Sequence, residues 1–407
     1  MTHVSTAPAD RRLSQGEFIA LMGMMFATIA FSIDSMLPAL PQIAGALTPD
    51  APNLAQLVLT SFVVGMGVGT LFTGPLSDAF GRRTIIFGGA TLYVTGALLA
   101  YLAPSLELIL AARVLQGLGA AGPRIASMAM VRDLYSGRQM ARIVSFAMLV
   151  FMIFPAIAPL IGAGIIHLFG WRAIFLAFVL FSAISIGWLG LRQSETLPAA
   201  RRRPMQVASL WAGLKEVLRH PQVFLSTITQ ILIFGVLFGT ISSVQQVFDL
   251  TYGRGQGFPL WFAGIAVCSA LPPLVNASLV VRLGMRPLIR TALLAQLAVS
   301  ATAGVIFLSL GSDAPAMFWV FLIWTAGQFA ATGFTIGNLN ALALEPMGHL
   351  AGMTASVMGA VATLGGAVLG AIIGQFYNGT PVPLVLSVLV CAAIGFAIAT
   401  RLPREGK

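Results

Sequence analysis

Twelve apolar segments run the length of this chain, and each has about the 20 residues that an α-helix needs to cross the hydrocarbon core of a membrane. Of the 407 residues, 57% are hydrophobic and only 9% are charged, whereas soluble proteins carry about 25% charged residues. The pattern predicts an all-α membrane protein with twelve transmembrane helices. The predicted spans are 17–47, 54–77, 84–103, 106–132, 143–168, 172–192, 221–249, 260–281, 287–310, 316–343, 352–376 and 383–401.

Basic residues lie in alternate loops between these spans. The net charge is +10, and nineteen of the 23 Lys and Arg residues fall in the two tails or in every second loop. Because loops rich in Lys and Arg stay on the cytoplasmic side, we expect both termini in the cytoplasm. The positive charge then reflects orientation and contact with anionic lipid, and it does not indicate nucleic-acid binding.

A long basic loop divides the spans into two groups of six. Weak repetition supports two related halves, since Gly81-Arg82-Arg83 after the second span corresponds to Gly284-Met285-Arg286 after the eighth. Such self-similarity is typical of transporters that rock two bundles around a central site. The predicted organisation is a cytoplasmic tail at 1–16, a six-helix bundle at 17–192, a cytoplasmic linker at 193–220, a second six-helix bundle at 221–401 and a tail at 402–407.

Three motifs lie in or beside the spans of the first half. Residues 74–83 read GPLSDAFGRR, residues 113–119 read RVLQGLG, and residues 158–164 read APLIGAG. They closely resemble the signature loop, the second motif and the proton-antiporter motif of the major facilitator superfamily. The last departs from the usual pattern, because Ala158 stands where the family usually has glycine.

Three further runs resemble one branch of that superfamily, the bicyclomycin/chloramphenicol-resistance drug:proton antiporters. They read DSMLPALPQIA at 34–44, VRDLY at 131–135 and NGTP at 378–381. The resemblance covers essentially the whole chain. It implies two pseudo-symmetric six-helix bundles, a monomer in the bacterial inner membrane, and export of small amphipathic compounds in exchange for protons by alternating access.

The resemblance also assigns roles to particular residues. Its signature loop implies a gating latch between the two halves, in which Asp133 is an acidic partner for Arg82. The gating residues are Gly74, Asp78, Gly81, Arg82, Arg83 and Asp133. The antiporter motif implies a flexing interface in the fifth span, formed by Pro159, Gly162 and Gly164.

Two ionisable residues lie deep inside spans. A carboxylate such as Asp34 costs about 2.5 to 3.5 kcal/mol at the centre of a membrane helix, so we expect it to face a wet cavity and bind a proton or a cation. The alternative is a structural carboxyl held by a neighbouring hydroxyl or a helix terminus. Arg113 is followed by Gln116 on the same helix, and the resemblance implies that Arg113 takes part in proton coupling. The alternative interpretation is that Arg113 is a packing residue that bonds to backbone carbonyls.

Arg124 is unusual for the family at this position, after Pro123 and eight residues before Arg132. Two interpretations remain open: contact with an anionic substrate in the cavity, or an ion pair with another residue. In the second half, Asn338 and Asn340 are the main candidates to line the cavity. Hydrogen bonding between helices explains them equally well.

No nucleotide-binding loop, catalytic triad or metal-ligand cluster stands out, so we expect no enzyme activity, cofactor or metal, and an ion gradient as the energy source. The expected partners are a small-molecule substrate, protons and membrane lipid. One alternative function is proton-coupled transport of a small anionic or zwitterionic metabolite. Another is a receptor or assembly factor built on a transporter scaffold.

Overall fold

The computed structural model describes residues 13–202, 207–312 and 314–403, and in these residues it contains fifteen α-helices and no strand. Parts of three sequence predictions lie outside the described residues: the first twelve residues of the N-terminal tail, part of the basic run of the linker, and the end of the C-terminal tail. The helices are α1 Gln15–Asp34, α2 Leu40–Leu47, α3 Leu57–Phe80, α4 Arg82–Leu102, α5 Leu106–Leu134, α6 Gly137–Phe169, α7 Ala173–Arg192, α8 Val207–Arg219, α9 Pro221–Gln246, α10 Phe258–Ser269, α11 Leu271–Leu283, α12 Met285–Leu310, α13 Pro315–Leu344, α14 Ala351–Gln375 and α15 Val382–Thr400.

Twelve membrane crossings follow from these helices. By length and composition, ten segments of the described chain are apolar enough to span a membrane. One of them, Pro315–Gln375, contains both α13 and α14 and therefore crosses twice. The twelfth crossing is α5, which has 29 residues and carries several charges, including Arg113 and Arg124. The predicted spans agree with the helices to within about six residues at each end.

The first and eighth spans are interrupted. The first consists of α1 and α2, separated by Ser35, Met36 and the 3₁₀ turn Leu37–Ala39, and the eighth consists of α10 and α11 on either side of Ala270. Proline residues explain both breaks, because proline lacks the amide hydrogen that a continuing helix needs. Pro38 and Pro41 follow the end of α1, and Pro272 and Pro273 open α11. The break in the first span leaves Asp34 as the last residue of α1.

Each half packs as its own bundle, and two pairs of helices form the main contacts between the halves. In the first half α5 packs on α3 and α4, and α1 packs on α6; in the second half α9 packs on α14 and α12 on α15. Across the middle of the molecule, α3 packs on α14 and α6 on α10. Helices 2, 5, 8 and 11 in span order therefore form the contact between the halves.

The molecule has two ends, a basic end and an opposite end. The basic end carries residues 13 and 403, the linker and the turn between α3 and α4; the opposite end carries α2 and the turn between α14 and α15. At the basic end Gly81 has a φ of 100°, and Gly284 at the related turn has a φ of 80°. Residues other than glycine rarely adopt such backbone angles, so the repeat seen in the sequence corresponds to a repeated tight turn.

Candidate functional site

Asp34 is buried at the break of the first span, with 5% of its surface exposed. Among the described residues no hydrogen bond or ion pair engages its carboxylate. The neighbouring hydroxyl groups do not hold it either, because Ser32 and Ser35 donate to the carbonyls of Thr28 and Phe31. The alternative in which a neighbouring hydroxyl fixes the carboxyl is therefore not what the structure shows.

The antiporter motif packs against the backbone of Ser35, the residue that follows Asp34. A side chain at Gly162 of α6 would collide with the backbone carbonyl of Ser35. Gly164, two residues further, has open space where its side chain would stand. Of these two glycines, therefore, only Gly162 is required for the close approach of α6 to the break in the first span.

Arg113 lies fully buried in α5 and binds the groups around it with all three nitrogens. Its Nε donates to the Val58 carbonyl (3.1 Å), and Nη2 donates to the Ser32 carbonyl (3.0 Å). Its guanidinium also lies 4.3 Å from the centroid of the Phe62 ring, within cation–π range. No carboxylate contacts it among the described residues, so it is held by backbone carbonyls, as in the packing alternative.

Gln116 links Arg113 to the rest of the site. Its Oε1 accepts a bond from Arg113 Nη1 (2.7 Å), whereas its Nε2 is buried and has no partner. Beside it, the Tyr93 hydroxyl and the Ser32 hydroxyl lie 2.7 Å apart. Arg113, Gln116, Ser32 and Tyr93 thus form a polar cluster that contains a spare donor. The unpaired carboxylate of Asp34 lies two residues beyond Ser32, at the end of α1.

Arg124 lies on the same face of α5 as Arg113, because eleven residues make close to three helical turns. That rise places it about 16 Å nearer the basic end than Arg113. Unlike Arg113, it is exposed, and no described residue pairs with its guanidinium. The ion-pair interpretation therefore has no partner in the described chain.

Asn338 and Asn340 both bond to neighbouring helices. Asn338 Nδ2 donates to Asn276 Oδ1 (2.8 Å), which joins α13 to α11. Asn340 Oδ1 accepts from Gln230 Nε2 (3.2 Å), which joins α13 to α9. Gln230 Oε1 remains buried without a partner. These contacts fit the interhelical interpretation, and they leave one free acceptor in the second half.

The gating motif forms a charged cluster at the basic end. Arg82 is buried, donates to Asp133 Oδ2 from Nε (2.9 Å), and also pairs with Asp78. Gly74 lies close to Ser356 of the second half, because a Cβ atom added to Gly74 would stand 3.8 Å from the Ser356 Oγ. The ion pairs themselves stay within the first half in the described chain, which differs from a latch between the halves.

Glu195 of the linker completes this cluster, and sequence reasoning missed it. Its Oε1 accepts from the Arg82 amide and its Oε2 from the Arg83 amide, both at 3.0 Å. A carboxylate at a helix N-terminus is stabilised by the exposed amides and the helix dipole. Arg83 contributes separately, through a bond from its Nη2 to the Gly190 carbonyl (2.7 Å). The linker is therefore tied to the start of α4.

The second half has a related pair at its basic end. Arg286 lies at the start of α12, and its Nη2 is 3.4 Å from Glu345 Oε2. Aligning Gly284 with Gly81 places Val281 where the first half has Asp78. The acidic partner in the second half is instead Glu345, which follows the tenth span in the way that Asp133 follows the fourth.

At the opposite end a set of amide side chains joins the halves; we call it the amide seal and define it as Asn53, Gln56, Gln246 and Gln375. Gln56 Nε2 donates to Gln246 Oε1 (2.5 Å), and Gln246 Nε2 donates to Asn53 Oδ1 (2.7 Å). Asn53 Nδ2 donates to the Tyr377 carbonyl (2.9 Å), and Gln375 Nε2 to the Asn53 carbonyl (3.0 Å). In the described residues, the side-chain hydrogen bonds between the bundles lie at this end.

The fold and these contacts define a helical membrane transporter with two six-helix halves, closed at one end, around a central polar site. The profile of the Major Facilitator Superfamily matches residues 20–374. The chain therefore belongs to this superfamily, as the motifs of the first half indicate.

Relatives and solved structures agree with this assignment. The chain is 30% identical over 402 residues to the chloramphenicol resistance protein of Pseudomonas aeruginosa, covering 94% of this chain and 90% of the relative. It is 29% identical over 378 residues to the bicyclomycin resistance protein homolog of Haemophilus influenzae, covering 93% and 94%. The xylose transporter XylE from E. coli, in a partially occluded inward-open conformation, shares the fold with a TM-score of 0.72 and 13% identity, over 97% of this chain and 99% of that chain.

Proposed function

We propose that this protein exports small amphipathic compounds in exchange for protons, by alternating access in a bacterial inner membrane, as a monomer with both termini in the cytoplasm. The observation that carries the proposal is the carboxylate of Asp34, buried without a partner at the break of the first span. The names of the relatives, which refer to chloramphenicol and bicyclomycin resistance, support drug export.

Asp34 can couple two gradients because it can be neutralised in two ways. A proton removes its charge, and a substrate cation or hydrogen-bond donor satisfies it without a proton. Since no described group competes for this carboxylate, the two ligands exclude one another there, and exchange follows from linkage. The flexing interface that the antiporter motif implies lies beside Asp34, where Gly162 meets Ser35.

Arg113 has a positioning role in this proposal. Its bond to the Ser32 carbonyl and its bond to the Val58 carbonyl tie the end of α1 to α3. The free Nε2 of Gln116 and the free Oε1 of Gln230 are available to bind polar groups of a substrate.

The conformation described here has its opposite end closed by the amide seal. With the basic end in the cytoplasm, this is a state that is closed toward the outside. The charged cluster of Asp78, Arg82, Asp133 and Glu195 then stabilises the first half and its linker. We propose that the cluster gates by rearranging when the basic end closes. A bias of about 1–3 kcal/mol is enough to shift such an equilibrium by 5- to 150-fold.

Arg124 supports a second candidate function, transport of a small anionic or zwitterionic metabolite. Its guanidinium is exposed and unpaired on the interior face of α5. A cationic wall attracts anions and repels cationic drugs. The two candidates therefore differ in which charge class of compound they transport.

One transport experiment separates them. Matched cationic, neutral and anionic compounds are loaded into energised cells, with and without a protonophore. The cells express the wild type, Asp34→Asn, Arg124→Gln or the exposed-loop control Asp50→Asn. We expect the wild type and Asp50→Asn to lower accumulation of cationic or neutral compounds, and Asp34→Asn and the protonophore to abolish this. Unchanged accumulation of every cationic and neutral compound would reject drug export. Transport of anions that is lost only in Arg124→Gln would establish the metabolite function instead.

A further inference from the structure

Arg254 lies at the opposite end, in the turn that joins the seventh span to the eighth. Its guanidinium carbon is 4.1 Å from the centroid of the Phe318 ring and 6.0 Å from the ring centroids of Trp261 and Trp319. The two tryptophan rings pack edge to face, with 5.5 Å between their centroids. We call these four residues the aromatic clamp. Contacts with ring faces position a guanidinium without using its N–H groups.

The donors of Arg254 are free and accessible. None of its side-chain nitrogens donates a hydrogen bond to a described residue, and no described carboxylate forms an ion pair with it, including Asp249 five residues earlier. Arg254 is only partly buried, and its nitrogens are not among the buried polar atoms that lack a partner. They therefore reach the protein surface, where a ligand can bind them.

The surroundings of the clamp favour a phospholipid as that ligand. Tryptophan is typical of the membrane–water interface, where lipid phosphates lie. Beside the clamp, Trp319 is 49% exposed, and Ile323, one helical turn deeper in α13, is 71% exposed. A guanidinium binds a phosphate group through two parallel N–H···O bonds. A phospholipid uses both the free donors and the apolar surface below them, whereas a soluble anion uses only the donors.

We propose that the aromatic clamp binds the phosphodiester of an anionic phospholipid, such as phosphatidylglycerol, with an acyl chain packed along Trp319 and Ile323. A lipid with net negative charge is preferred over a zwitterionic lipid, because the clamp contains a cation and no carboxylate. All four clamp residues belong to the second half, so the site does not require the contact between the halves. It is also separate from the central site around Asp34 and Arg113, and it does not depend on the proposed export function.

The test measures lipid enrichment beside the clamp in the purified full-length protein. The protein is placed in nanodiscs of phosphatidylcholine, and a bimane fluorophore is attached at Ile323→Cys in a background with Cys268→Ser and Cys391→Ala. Quenching of the fluorophore is followed against increasing fractions of phosphatidylglycerol or phosphatidylcholine, each of which carries a nitroxide on its acyl chain. No transported compound or proton gradient is involved.

Two controls use the first half of the chain. The control label is Leu102→Cys, because Leu102 lies at the opposite end and is 71% exposed, as Ile323 is. The control substitution is Arg172→Gln. Arg172 also lies at the opposite end and stacks on a tryptophan, with 4.2 Å to the centroid of Trp171, but its Nη2 already donates to the Ala103 carbonyl (3.3 Å).

We expect phosphatidylglycerol to quench the label at Ile323→Cys at a molar fraction at least threefold lower than phosphatidylcholine, and the two lipids to quench Leu102→Cys equally. Arg254→Gln should abolish the preference, and Arg172→Gln should preserve it. With Arg254 intact, about 0.5 M salt should weaken the preference, a readout that does not rely on the folding of a variant at the clamp. Inorganic phosphate, equimolar with the labelled lipid, should not change it.

Four results would each overturn the proposal. They are equal quenching of Ile323→Cys by the two lipids, an equal preference at Leu102→Cys, a preference that survives Arg254→Gln or salt, and loss of the preference in Arg172→Gln. Displacement of the lipid by inorganic phosphate would show a site for a soluble anion and would overturn it as well. A thermal-unfolding assay of Arg254→Gln confirms that the variant is folded when its lipid preference is measured.

Discussion

Replacing Gln246 by leucine should shift the protein toward the state that is open at the opposite end. The substitution removes the bonds from Gln56 Nε2 (2.5 Å) and to Asn53 Oδ1 (2.7 Å), both of which join the two halves. Each hydrogen bond contributes about 0.5–1.5 kcal/mol net, so the closed state should lose about 1–3 kcal/mol. That corresponds to a 5- to 150-fold change in the ratio of the two states.

Spin labels can measure this ratio. One label replaces Leu102 at the end of α4 and the other replaces Leu260 in α10; both side chains are about 70% exposed and belong to different halves. Pulsed electron resonance in nanodiscs then gives the populations of short and long distances. Gln375→Leu, which removes only the bond to the Asn53 carbonyl, serves as a graded control and should produce about half the free-energy shift. If Gln246→Leu leaves the distance distribution unchanged, the amide seal does not hold this end closed.

Two further substitutions test the packing at the site and at the basic end. Gly162→Ala should reduce drug export at least tenfold, because the added methyl group meets the Ser35 carbonyl beside Asp34. Gly164→Ala should retain wild-type export, because its methyl group enters open space. Equal export by the two variants would show that the close approach of α6 to Ser35 is not needed. Arg82→Met should lower the free energy of unfolding by about 2–4 kcal/mol, because it leaves Asp133 and Asp78 without their cation. Arg83→Met removes one hydrogen bond to a carbonyl and a cation–π contact. In a thermal-unfolding assay it should therefore lower the stability of the protein clearly less than Arg82→Met. An equal loss of stability in the two variants would contradict the stabilising role of the Arg82 ion pairs.

The helical architecture could be predicted because membrane crossing imposes a length and a composition on each segment. Even α5, whose charges lower its hydropathy, has the required length and lies between unmistakable spans. The break in the first span also has a local cause, since Pro38 and Pro41 are visible in the sequence. The position of Asp34 at that break follows from the same prolines, although the sequence analysis places it only by its depth in the span.

Partners across the bundles could not be predicted, because nothing local in the sequence records them. Gln56 and Gln246 are 190 residues apart, and each is an ordinary polar residue at the end of a span. Glu195 looks like one charge in a polar linker, yet it caps α4 at a distance of 113 residues. The pairing of Glu345 with Arg286 had a weaker signal, the analogy with Asp133, which a comparison of the ends of the fourth and tenth spans could have found.

The amide seal has a consequence for life in changing surroundings. Its four side chains are carboxamides, which do not titrate at any pH a bacterium survives, and their bonds carry no net charge for salt to screen. The strength of this closure therefore stays the same when the medium turns acidic or saline. In the proposed orientation, an abrupt fall in external pH therefore changes the driving force for transport without weakening the hydrogen bonds of the amide seal.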